Sequence, residues 1–440
     1  MDQKIIRDPV FNYIAIDREK DPWLLDLLNA PEVQRLRFIH QLGLSSFTYP
    51  GAEHSRFSHT LGVLHLMQMA ADRLLPQAGE PRGDQELTRK ALLAGAVVHD
   101  VGHAPFSHVL EPFIGKGHEE RSSEIVRSEE TEVHRVLSAY PGLVDAVGAL
   151  VRKDAIHQEL WKISLLSSQL DVDRMDYLLR DSYFTGAGYG HFDWYRLIHT
   201  MQLVPHPTLK KPCIVSPHKT MHALEEYIFS RFYMFEAVYF HKTTRGYEQL
   251  LLAVLRRARQ LEIGESAGEP MKGFLGPQPS KMPLGNFLRL GEAQVLAQVE
   301  GWQWSKDSIL SDLCRRFVNR KGLKAIEGIP ESGPSALGLI GSSERVRKVR
   351  ALLQDRKYDP DFYLLEDAGD VTVYQAYHPE KENPAEKPME AILLQSPQGE
   401  LLEISRVLER VKVFTDNPSR HVRLYCPDEV KEQVRKILTQ

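Results

Sequence analysis

The chain has 440 residues, of which 42% are hydrophobic and 26% are charged, and its formal net charge is −4. This composition is typical of a folded soluble protein and argues against a disordered chain, while the length suggests two or three domains. The negative net charge argues against a globally basic nucleic-acid-binding protein, so nucleic acid is not the favoured partner.

Cysteine content and apolar runs bear on the compartment. The three cysteines, Cys213, Cys314 and Cys426, lie far apart and lack CxxC spacing, so they predict neither a disulfide framework nor a zinc knuckle. The first residues, MDQKIIRDPVFNYIAIDREK, carry charges where a signal peptide would be apolar. No apolar run approaches the roughly 18 residues of a membrane span. We therefore expect a cytoplasmic protein that does not enter a membrane.

Helical patterns dominate the first half of the chain. Apolar residues at helical spacing between residues 22 and 42, interrupted at Asn29-Ala30-Pro31, predict two short helices. Residues 57–75 predict an amphipathic helix with His59 in its first turn. The apolar run that starts at residue 91 predicts a buried helix that ends at Gly102 and Pro105. On such a helix His99 and His103 would share one face.

The next segments are predicted as follows. Residues 119–152 alternate charged and apolar residues, which is typical of an exposed helical region. Residues 160–184 contain no Gly or Pro and predict one long helix, on which Asp173, Tyr177 and Asp181 lie four residues apart on one face. Residues 198–216 predict a short hairpin, and residues 219–260 predict a helical, strongly aromatic stretch. We expect its aromatic residues from Tyr227 to Tyr239 to belong to the core rather than to a ligand site.

The composition changes in the second half. Residues 264–285 are rich in Gly and Pro and predict a loop or linker, and a helical extension is predicted over residues 286–350. In the remainder, VTVYQAYH, EAILLQS and VKVFT predict strands, SPQGE predicts a turn and CPDEVKEQVRKIL predicts a closing helix. The predicted fold class is therefore mainly α, with a helical core over residues 1–263 and a small C-terminal α+β domain over residues 351–440.

Four metal-competent residues lie on the predicted buried helices: His59, His99, Asp100 and Asp173. Two imidazoles and two carboxylates form a mixed donor set that suits a divalent ion such as Mn, Fe, Zn, Ni or Co, with Mg as a further candidate. Because a bound cation lowers the pKa of water and polarises a phosphoryl oxygen, this set favours hydrolysis. Taken singly, each of these residues has a structural interpretation, since a buried histidine is commonly a hydrogen-bonded core residue and Asp173 or Asp176 could be a solvated helix-face acid.

The neighbours of this set also carry chemistry. His103, His108, His118 and Glu119 are titratable groups that could serve as a general acid or hold the nucleophile. Arg56 precedes His59 by three residues and would share its face, where a guanidinium can clamp phosphate oxygens. Arg174 could bind phosphate, and Tyr177 could stack on or hydrogen-bond a sugar.

Five motifs in order, RLRFIHQLG, YPGAEHSRFSHTLGV, HDVGHAPFSH, GHEE and DVDRMDYLLRDS, resemble the HD-domain phosphohydrolases. More narrowly, they are similar to the deoxynucleoside triphosphate triphosphohydrolases of bacteria and to the related vertebrate enzyme that carries a SAM domain. The resemblance covers roughly residues 20–260 and implies that residues 1–263 form an HD-type catalytic domain. It implies hydrolysis of a dNTP to a deoxynucleoside and inorganic triphosphate by attack of metal-activated water on the α-phosphorus. It also implies a homo-oligomer, commonly a tetramer, with nucleotides bound between subunits.

The resemblance assigns site roles by matching position. The implied metal ligands are His59, His99, Asp100 and Asp173, and the residues implied near the nucleophile and leaving group are His103, His108, His118 and Glu119. The residues implied on the triphosphate or sugar are Arg56, Tyr177 and Asp181, with Arg174 standing where the vertebrate enzyme has a Lys.

Further positions match with more variation. Gln41 and Leu42 match the positions that meet the deoxyribose 3′-hydroxyl and crowd a 2′-hydroxyl, and His241 and Lys242 match positions near the base or phosphates. The positions that match an activating nucleotide site are Asn29, Gln34 and Arg37. Asn29 stands where the vertebrate enzyme has an Asp, and an amide cannot accept two guanine N–H bonds as a carboxylate does, which argues against GTP-type activation.

Two other functions agree with the same residues. One is an HD-type phosphodiesterase or nuclease that acts on oligonucleotides or cyclic nucleotides, and the negative net charge argues mildly against it. The other is a non-catalytic nucleotide-sensing scaffold. The presence of all four implied metal ligands argues against that scaffold.

Overall fold

The computed structural model describes residues 2–206, 210–327, 344–371, 391–416 and 419–439, and its fold is mainly α-helical, as the sequence predicts. The α-helices of the first 200 residues are α1 (Pro22–Asn29), α2 (Pro31–Gln34), α3 (Arg56–Leu74), α4 (Arg82–Val98), α5 (Glu111–Ile114), α6 (His118–Arg127), α7 (Glu132–Ser138), α8 (Leu143–Val151), α9 (Leu160–Leu166), α10 (Val172–Thr185) and α11 (Trp194–Thr200).

Helices continue through the second half. They are α12 (Met221–Met234), α13 (Lys242–Gln260), α14 (Gly264–Ala267), α15 (Met271–Leu275), α16 (Leu284–Arg289), α17 (Glu292–Gly301), α18 (Ser308–Val318), α19 (Glu344–Asp355), α20 (Pro360–Tyr363), α21 (Ile404–Val407), α22 (Glu409–Asp416) and α23 (Lys431–Thr439). A π-helical segment, Phe235–Tyr239, follows α12. Among the described residues, every helix is too short or too polar to span a bilayer.

Three small sheets accompany the helices. Their strands are β1 (Gln3–Asp8), β2 (Asn12–Asp17), β3 (Gln202–Pro205), β4 (Pro212–Pro217), β5 (Lys324–Ile326), β6 (Leu365–Val371), β7 (Leu393–Gln395), β8 (Leu401–Glu403) and β9 (Ser419–Cys426). The sheet orders are β1-β2, β3-β4-β7-β8 and β5-β9-β6. Since β7 pairs with β4 in parallel and β9 pairs with β5, strands of the last ninety residues pair with strands that come earlier in the chain.

Helix α3 is the centre of the main core. It packs against α4, α10 and α11, and its Val63, Leu64 and Met67 are fully buried. Residues 264–285, predicted as a loop or linker, form two short helices, and the buried Phe274 joins the main core. A smaller core, which includes Leu424, lies between α19, α23 and the β5-β9-β6 sheet.

The predicted long helix over residues 160–184 is wrong, because the structure breaks it into α9 and α10. Asp171 caps α10: its carboxylate accepts the backbone N–H of Arg174 at 2.7 Å and that of Ser168 at 2.6 Å. Such side-chain bonds to the backbone compete with the helical ladder and leave no mark on the hydrophobic periodicity. The predicted shared face of Asp173, Tyr177 and Asp181 remains intact within α10.

The end of α4 also differs from the prediction, since the helix stops at Val98 and His99 is its C-terminal cap. Ser122 of α6 explains the early stop: its hydroxyl donates to the His99 carbonyl at 2.7 Å and accepts the Gly102 N–H at 2.8 Å. The expectation that His99 and His103 share a helix face is therefore wrong.

The C-terminal strands were predicted with mixed success. The hairpin over residues 198–216, the strand in EAILLQS and the closing helix are confirmed. VKVFT lies in α22 rather than in a strand, because tertiary packing overrides a weak β preference. Of VTVYQAYH, only Val371 belongs to the described residues, where it ends β6.

Gly62 of α3 lies directly against the Asp176 and Arg180 side chains of α10, and a Cβ at this position would overlap the Asp176 carboxylate. We expect Gly62→Ala to lower the free energy of unfolding by about 2 kcal/mol, because this buried contact has no room for a methyl group. Thermal or urea denaturation measures the loss. The matched control is Gly83→Ala near the start of α4, where nothing lies within 4 Å of the added Cβ. Equal stability of the two variants would contradict this packing.

Candidate metal centre and adjoining cavity

The structure brings the four predicted metal ligands together from three segments. His59 lies in the first turn of α3, His99 and Asp100 follow α4, and Asp173 lies in the first turn of α10. His59 Nε2 lies 3.0 Å from Asp173 Oδ1 and 3.7 Å from Asp100 Oδ2. His99 Nε2 lies 3.4 Å from Asp100 Oδ1 and 3.8 Å from Asp173 Oδ1. We refer to these four residues as the tetrad.

Both tetrad imidazoles are oriented by a bond on their Nδ1 atoms. His59 Nδ1 lies 2.7 Å from Asp176 Oδ2, and His99 Nδ1 lies 2.9 Å from the Ala96 carbonyl. Since carboxylates and carbonyls only accept, Nδ1 carries the proton in each ring. The two Nε2 atoms are buried and make no hydrogen bond within the described part of the chain. These two imidazole nitrogens and the two neighbouring carboxylates form a donor set that fits a divalent metal ion, which the tetrad could hold.

Asp176 is the residue behind His59, and the sequence alone suggested only a helix-face acid at this position. It is fully buried and accepts two 2.9 Å bonds from Arg180, which also donates to Asp8 at 2.8 Å. Burial would raise the pKa of Asp176, but Arg180 and His59 lower it below its ordinary value. The available signal was spacing, because Asp176 and Arg180 are four apart on α10 and therefore share a face.

The charges around the tetrad are compensated within the protein. Burial would lower the pKa of His59, but Asp173 and Asp176 raise it to about 10. Arg56 donates to Asp100 at 2.5 Å and to the Ser107 hydroxyl at 2.8 Å. Burial would raise the pKa of Asp100, but Arg56 and His99 hold it well below its ordinary value.

A second cluster surrounds Glu111, which the sequence analysis did not single out. Glu111 Oε1 lies 2.6 Å from His118 Nδ1, 3.3 Å from His108 Nδ1 and 3.7 Å from His103 Nδ1. The rings of His103 and His118 stack with centroids 3.9 Å apart. Burial would raise the pKa of Glu111, but His108 and His118 lower it strongly. The three-residue spacing from His108 was the only sequence signal for Glu111.

The tetrad opens into a cavity of about 590 Å³. The predicted site residues that line it are Gln41, Leu42, Arg56, Asp100, His103, His108, His118, Glu119, Asp173, Arg174, Tyr177 and Asp181. Lining residues that the sequence analysis did not assign to the site include Arg231, Phe235, Tyr239, Phe240 and Arg245. Most of this second set lies in the aromatic stretch around the π-helical segment, a feature common at functional sites. The sequence pattern predicted that stretch as core.

Outside the histidine cluster, two polar atoms in the cavity wall are buried without a hydrogen-bond partner in the described residues. They are Gln41 Oε1 and Arg231 Nε. Burial, together with the nearby Arg174, lowers the pKa of Arg231. Because buried polar groups are almost always paired, these two atoms are natural contacts for a bound ligand.

Several predicted residues have other partners. Asp181 lines the cavity, but its oxygens accept from His54 at 2.7 Å and from Tyr239 at 2.8 Å. Glu119 pairs with Lys153 at 2.6 Å on the cavity wall.

His241 and Lys242 do not line this cavity. His241 caps α13 by accepting the Thr243 N–H, and Lys242 pairs with Glu327 at 2.7 Å. Because α13 begins at Lys242, both side chains make contacts at the start of this helix instead of in the cavity.

The three residues that match an activating nucleotide site lie at the surface, apart from the cavity. Gln34 accepts from Arg37 at 2.7 Å and donates to the Leu28 carbonyl at 2.6 Å. The Arg37 guanidinium lies over the Phe57 ring, 3.7 Å from its centroid. Asn29 is exposed at the end of α1. Their role in binding a nucleotide stays a prediction.

Replacing Asp176 removes the carboxylate that orients His59. We expect Asp176→Asn to weaken binding of Mn²⁺ by roughly 10- to 100-fold, because the amide no longer fixes His59 as a carboxylate does. Competition titration against a chelator measures the affinity. The matched control is Asp181→Asn, a second buried carboxylate of α10 that does not contact the tetrad. Unchanged affinity in Asp176→Asn, or an equal loss in both variants, would contradict this assignment.

Comparison with known proteins agrees with this geometry. A model of the HD domain matches residues 56–181. The chain is 36% identical over 431 residues to YwfO, an uncharacterized protein of Bacillus subtilis, covering 98% of this chain and 93% of that protein. The crystal structure of a phosphohydrolase from Bacteroides thetaiotaomicron has a TM-score of 0.76 and 27% identity, covering 97% of this chain and all of that one.

A more distant relative carries a functional name. The Dictyostelium discoideum protein named as a homolog of the deoxynucleoside triphosphate triphosphohydrolase SAMHD1 is 27% identical over 278 residues. The match covers 61% of this chain and 52% of that protein, so it spans about half of the relative's length. Together with the full-length match and the converging tetrad, these similarities show that the chain belongs to the HD-domain superfamily of phosphohydrolases and resembles its dNTP triphosphohydrolases.

Proposed function

We propose that this protein hydrolyses deoxynucleoside triphosphates to a deoxynucleoside and inorganic triphosphate. The observation that carries the proposal is the single cavity in which Asp100 and Asp173 of the tetrad face Arg56, Arg174 and Arg231. A triphosphate carries several negative charges along a short chain, so it needs both a metal-competent end and fixed guanidinium groups. A cavity of about 590 Å³ is of the size that encloses a small organic ligand.

The tetrad would hold the cofactor, a divalent cation. When bound, such an ion lowers the pKa of water and draws charge from a phosphoryl oxygen. The protein's own contribution is geometric: Asp176 and the Ala96 carbonyl fix both imidazole rings before any ligand arrives. Rings that are already oriented lose little freedom on binding.

The basic wall would bind the triphosphate. Arg174 lies in the first turn of α10 beside the tetrad, and Arg231 reaches the same cavity from α12. Arg231 has an unpaired buried Nε, which a phosphate oxygen would satisfy. Tyr177, one turn after Asp173, would donate its hydroxyl to the phosphates or sugar.

Other residues of the cavity would recognise the sugar and base. The unpaired Oε1 of Gln41 would accept a hydrogen bond from the 3′-hydroxyl. The apolar Leu42 beside it would disfavour a 2′-hydroxyl by contact and desolvation. Phe235, Tyr239 and Phe240 provide apolar ring surface in the same cavity. This arrangement favours a deoxynucleotide over a ribonucleotide.

The second cluster would supply the proton that the leaving group needs. Water forms a new bond to the α-phosphorus, the bond from that phosphorus to the sugar 5′-oxygen breaks, and the 5′-oxygen takes up a proton. His103, His108 and His118 share Glu111 and line the cavity side by side, with Glu119 nearby. An imidazole within hydrogen-bonding reach of the leaving oxygen can donate this proton.

We also propose, from the resemblance of the sequence motifs to the dNTP triphosphohydrolases, that the chain acts as a homo-oligomer. Asn29, Gln34 and Arg37 then remain candidates for an activating nucleotide at a subunit contact. Asn29 and Arg37 are exposed and Gln34 is half-buried, which agrees with this role.

The reaction is tested directly by product analysis. Incubation of the purified protein with each of the four dNTPs and Mn²⁺ or Mg²⁺ is expected to release inorganic triphosphate, resolved by ion chromatography. We expect the double variant His99→Ala, Asp100→Ala to lose this activity, since half of the tetrad is gone. The matched control removes an exposed pair, Asp154→Ala with His157→Ala. Release of pyrophosphate, cleavage of oligonucleotides or cyclic nucleotides alone, or activity in the tetrad variant would overturn the proposal.

A second test concerns Arg231. We expect Arg231→Leu to lower kcat/KM for a dNTP by roughly 10- to 100-fold, because a buried charged hydrogen bond to phosphate is lost. Steady-state kinetics measures the ratio, and the metal content should stay unchanged because Arg231 does not contact the tetrad. The control is Arg347→Leu on the exposed face of α19. Wild-type kinetics in Arg231→Leu would remove this residue from the phosphate site.

A further inference from the structure

Glu292 is a buried carboxylate outside the stretch that matches the HD domain. It is the first residue of α17, and only 4% of its surface is exposed. Its Oε1 accepts two backbone N–H groups, those of His40 and Phe106, each at 3.0 Å. Its Oε2 contacts Nδ1 of the His40 ring. One side chain therefore binds two segments that are far apart in the sequence.

Those two segments form adjacent parts of the cavity wall. Residues 40–43 contribute Gln41 and Leu42, and residues 103–108 contribute His103 and His108. They touch each other, since the Ser107 hydroxyl donates to the His40 carbonyl at 2.8 Å. The relative position of the two segments thus sets the distance from the proposed sugar site to the histidine cluster.

The second segment is strained and needs external support. Phe106 and Ser107 have φ angles of 58° and 57°, in the left-handed region that side chains other than Gly rarely adopt. Two such residues in a row persist only where the surroundings hold them. The hydrogen bond from the Phe106 N–H to Glu292 is made by the first of these two residues.

A buried arginine reinforces the same contact. Arg35 donates to the His103 carbonyl at 2.9 Å and to the Leu290 carbonyl at 3.1 Å, so it joins the strained segment to the residues before α17. Burial lowers the pKa of Arg35 to about 9, and the charge of Glu292 opposes that shift. On the outer side, His40 Nε2 lies 2.9 Å from Glu53. The hydrogen bond to Glu292 raises the pKa of His40.

We propose that Glu292 is a positioning residue, which holds residues 40–43 and 103–108 together so that Gln41 and His108 face one substrate. The identity of that substrate rests on the proposed function, whereas the contact itself does not. Glu292 touches no reacting atom in this arrangement and acts only through the two segments.

The chemistry of the contact predicts which substitution is tolerated. In Glu292→Gln the amide oxygen can still accept both backbone N–H groups. Its NH₂ group can donate to His40 Nδ1 while His40 Nε2–H donates to Glu53. Glu292→Ala removes all three bonds. The control is Glu300→Ala, at an exposed position of the same helix.

Hydrogen–deuterium exchange of the full-length protein tests the contact without any substrate. We expect the amides of His40 and Phe106 to exchange about tenfold faster or more in Glu292→Ala, because each loses a bond to a charged acceptor. Exchange in Glu292→Gln and Glu300→Ala should stay near the wild-type rate. Wild-type exchange of both amides in Glu292→Ala would overturn the proposal. Faster exchange throughout the chain, in this variant and in the shorter Glu292→Asp, would also overturn it by showing a general structural role.

Kinetics and metal content separate positioning from other roles. We expect Glu292→Ala to lower kcat/KM for a dNTP about tenfold or more while the bound Mn²⁺ per chain stays unchanged, and Glu292→Gln to recover most of the loss. An equal loss in Glu292→Gln and Glu292→Ala would overturn the positioning role. If the wild-type protein releases no triphosphate, the proposed function fails while the exchange experiment still decides the contact.

Discussion

The buried carboxylate of Asp176 is the constraint on which the rest of the structure depends. It lies between His59 and Arg180 with no exposed surface, and Arg180 extends the chain of charges to Asp8. A charge without access to water is tolerated only when it is fully paired, and breaking such a pair costs about 3–5 kcal/mol. The network therefore fixes α3, α10 and β1 relative to one another. The orientation of a candidate metal ligand and the stability of the fold depend on the same bonds.

Charge compensation continues outward from this network into the cavity. Arg56 pairs with Asp100, and Glu111 stands among three histidines. Arg174 reaches the same cavity with Asp171 as its partner, and Arg231 reaches it with an Nε that has no partner within the described residues. An anionic ligand would be drawn to these guanidinium groups, while a cation would be drawn to the carboxylates of the tetrad. The cavity therefore brings guanidinium groups and carboxylates into one space.

Local sequence patterns were enough to predict the mainly helical fold and the three segments that bring the tetrad together. They were not enough for the supporting residues. Asp176 and Glu292 are defined by partners far away in the sequence, and Glu111 is defined by nearby histidines outside one regular helix. Hydrophobic periodicity encodes neither kind of contact. The break between α9 and α10 was missed for a related reason, since the Asp171 cap satisfies backbone groups without altering the apolar pattern. In α22, tertiary packing placed β-branched residues in a helix. Arg231 was overlooked because the surrounding aromatic residues are typical of a core.

The supporting residues also show that the working unit is larger than the HD-domain match. Residues 56–181 contain all four tetrad members, yet Asp8 and Glu292 lie outside that range on opposite sides of the sequence. Without Asp8, the buried Arg180 would keep only Asp176 as a partner, and it would no longer be bonded to β1. Without Glu292, the strained turn at Phe106 would lose its acceptor. Because both anchors are buried charges with directional bonds, they set positions rather than merely adding apolar contact. The tetrad supplies the donor atoms, and the segments on either side of it determine where those atoms point.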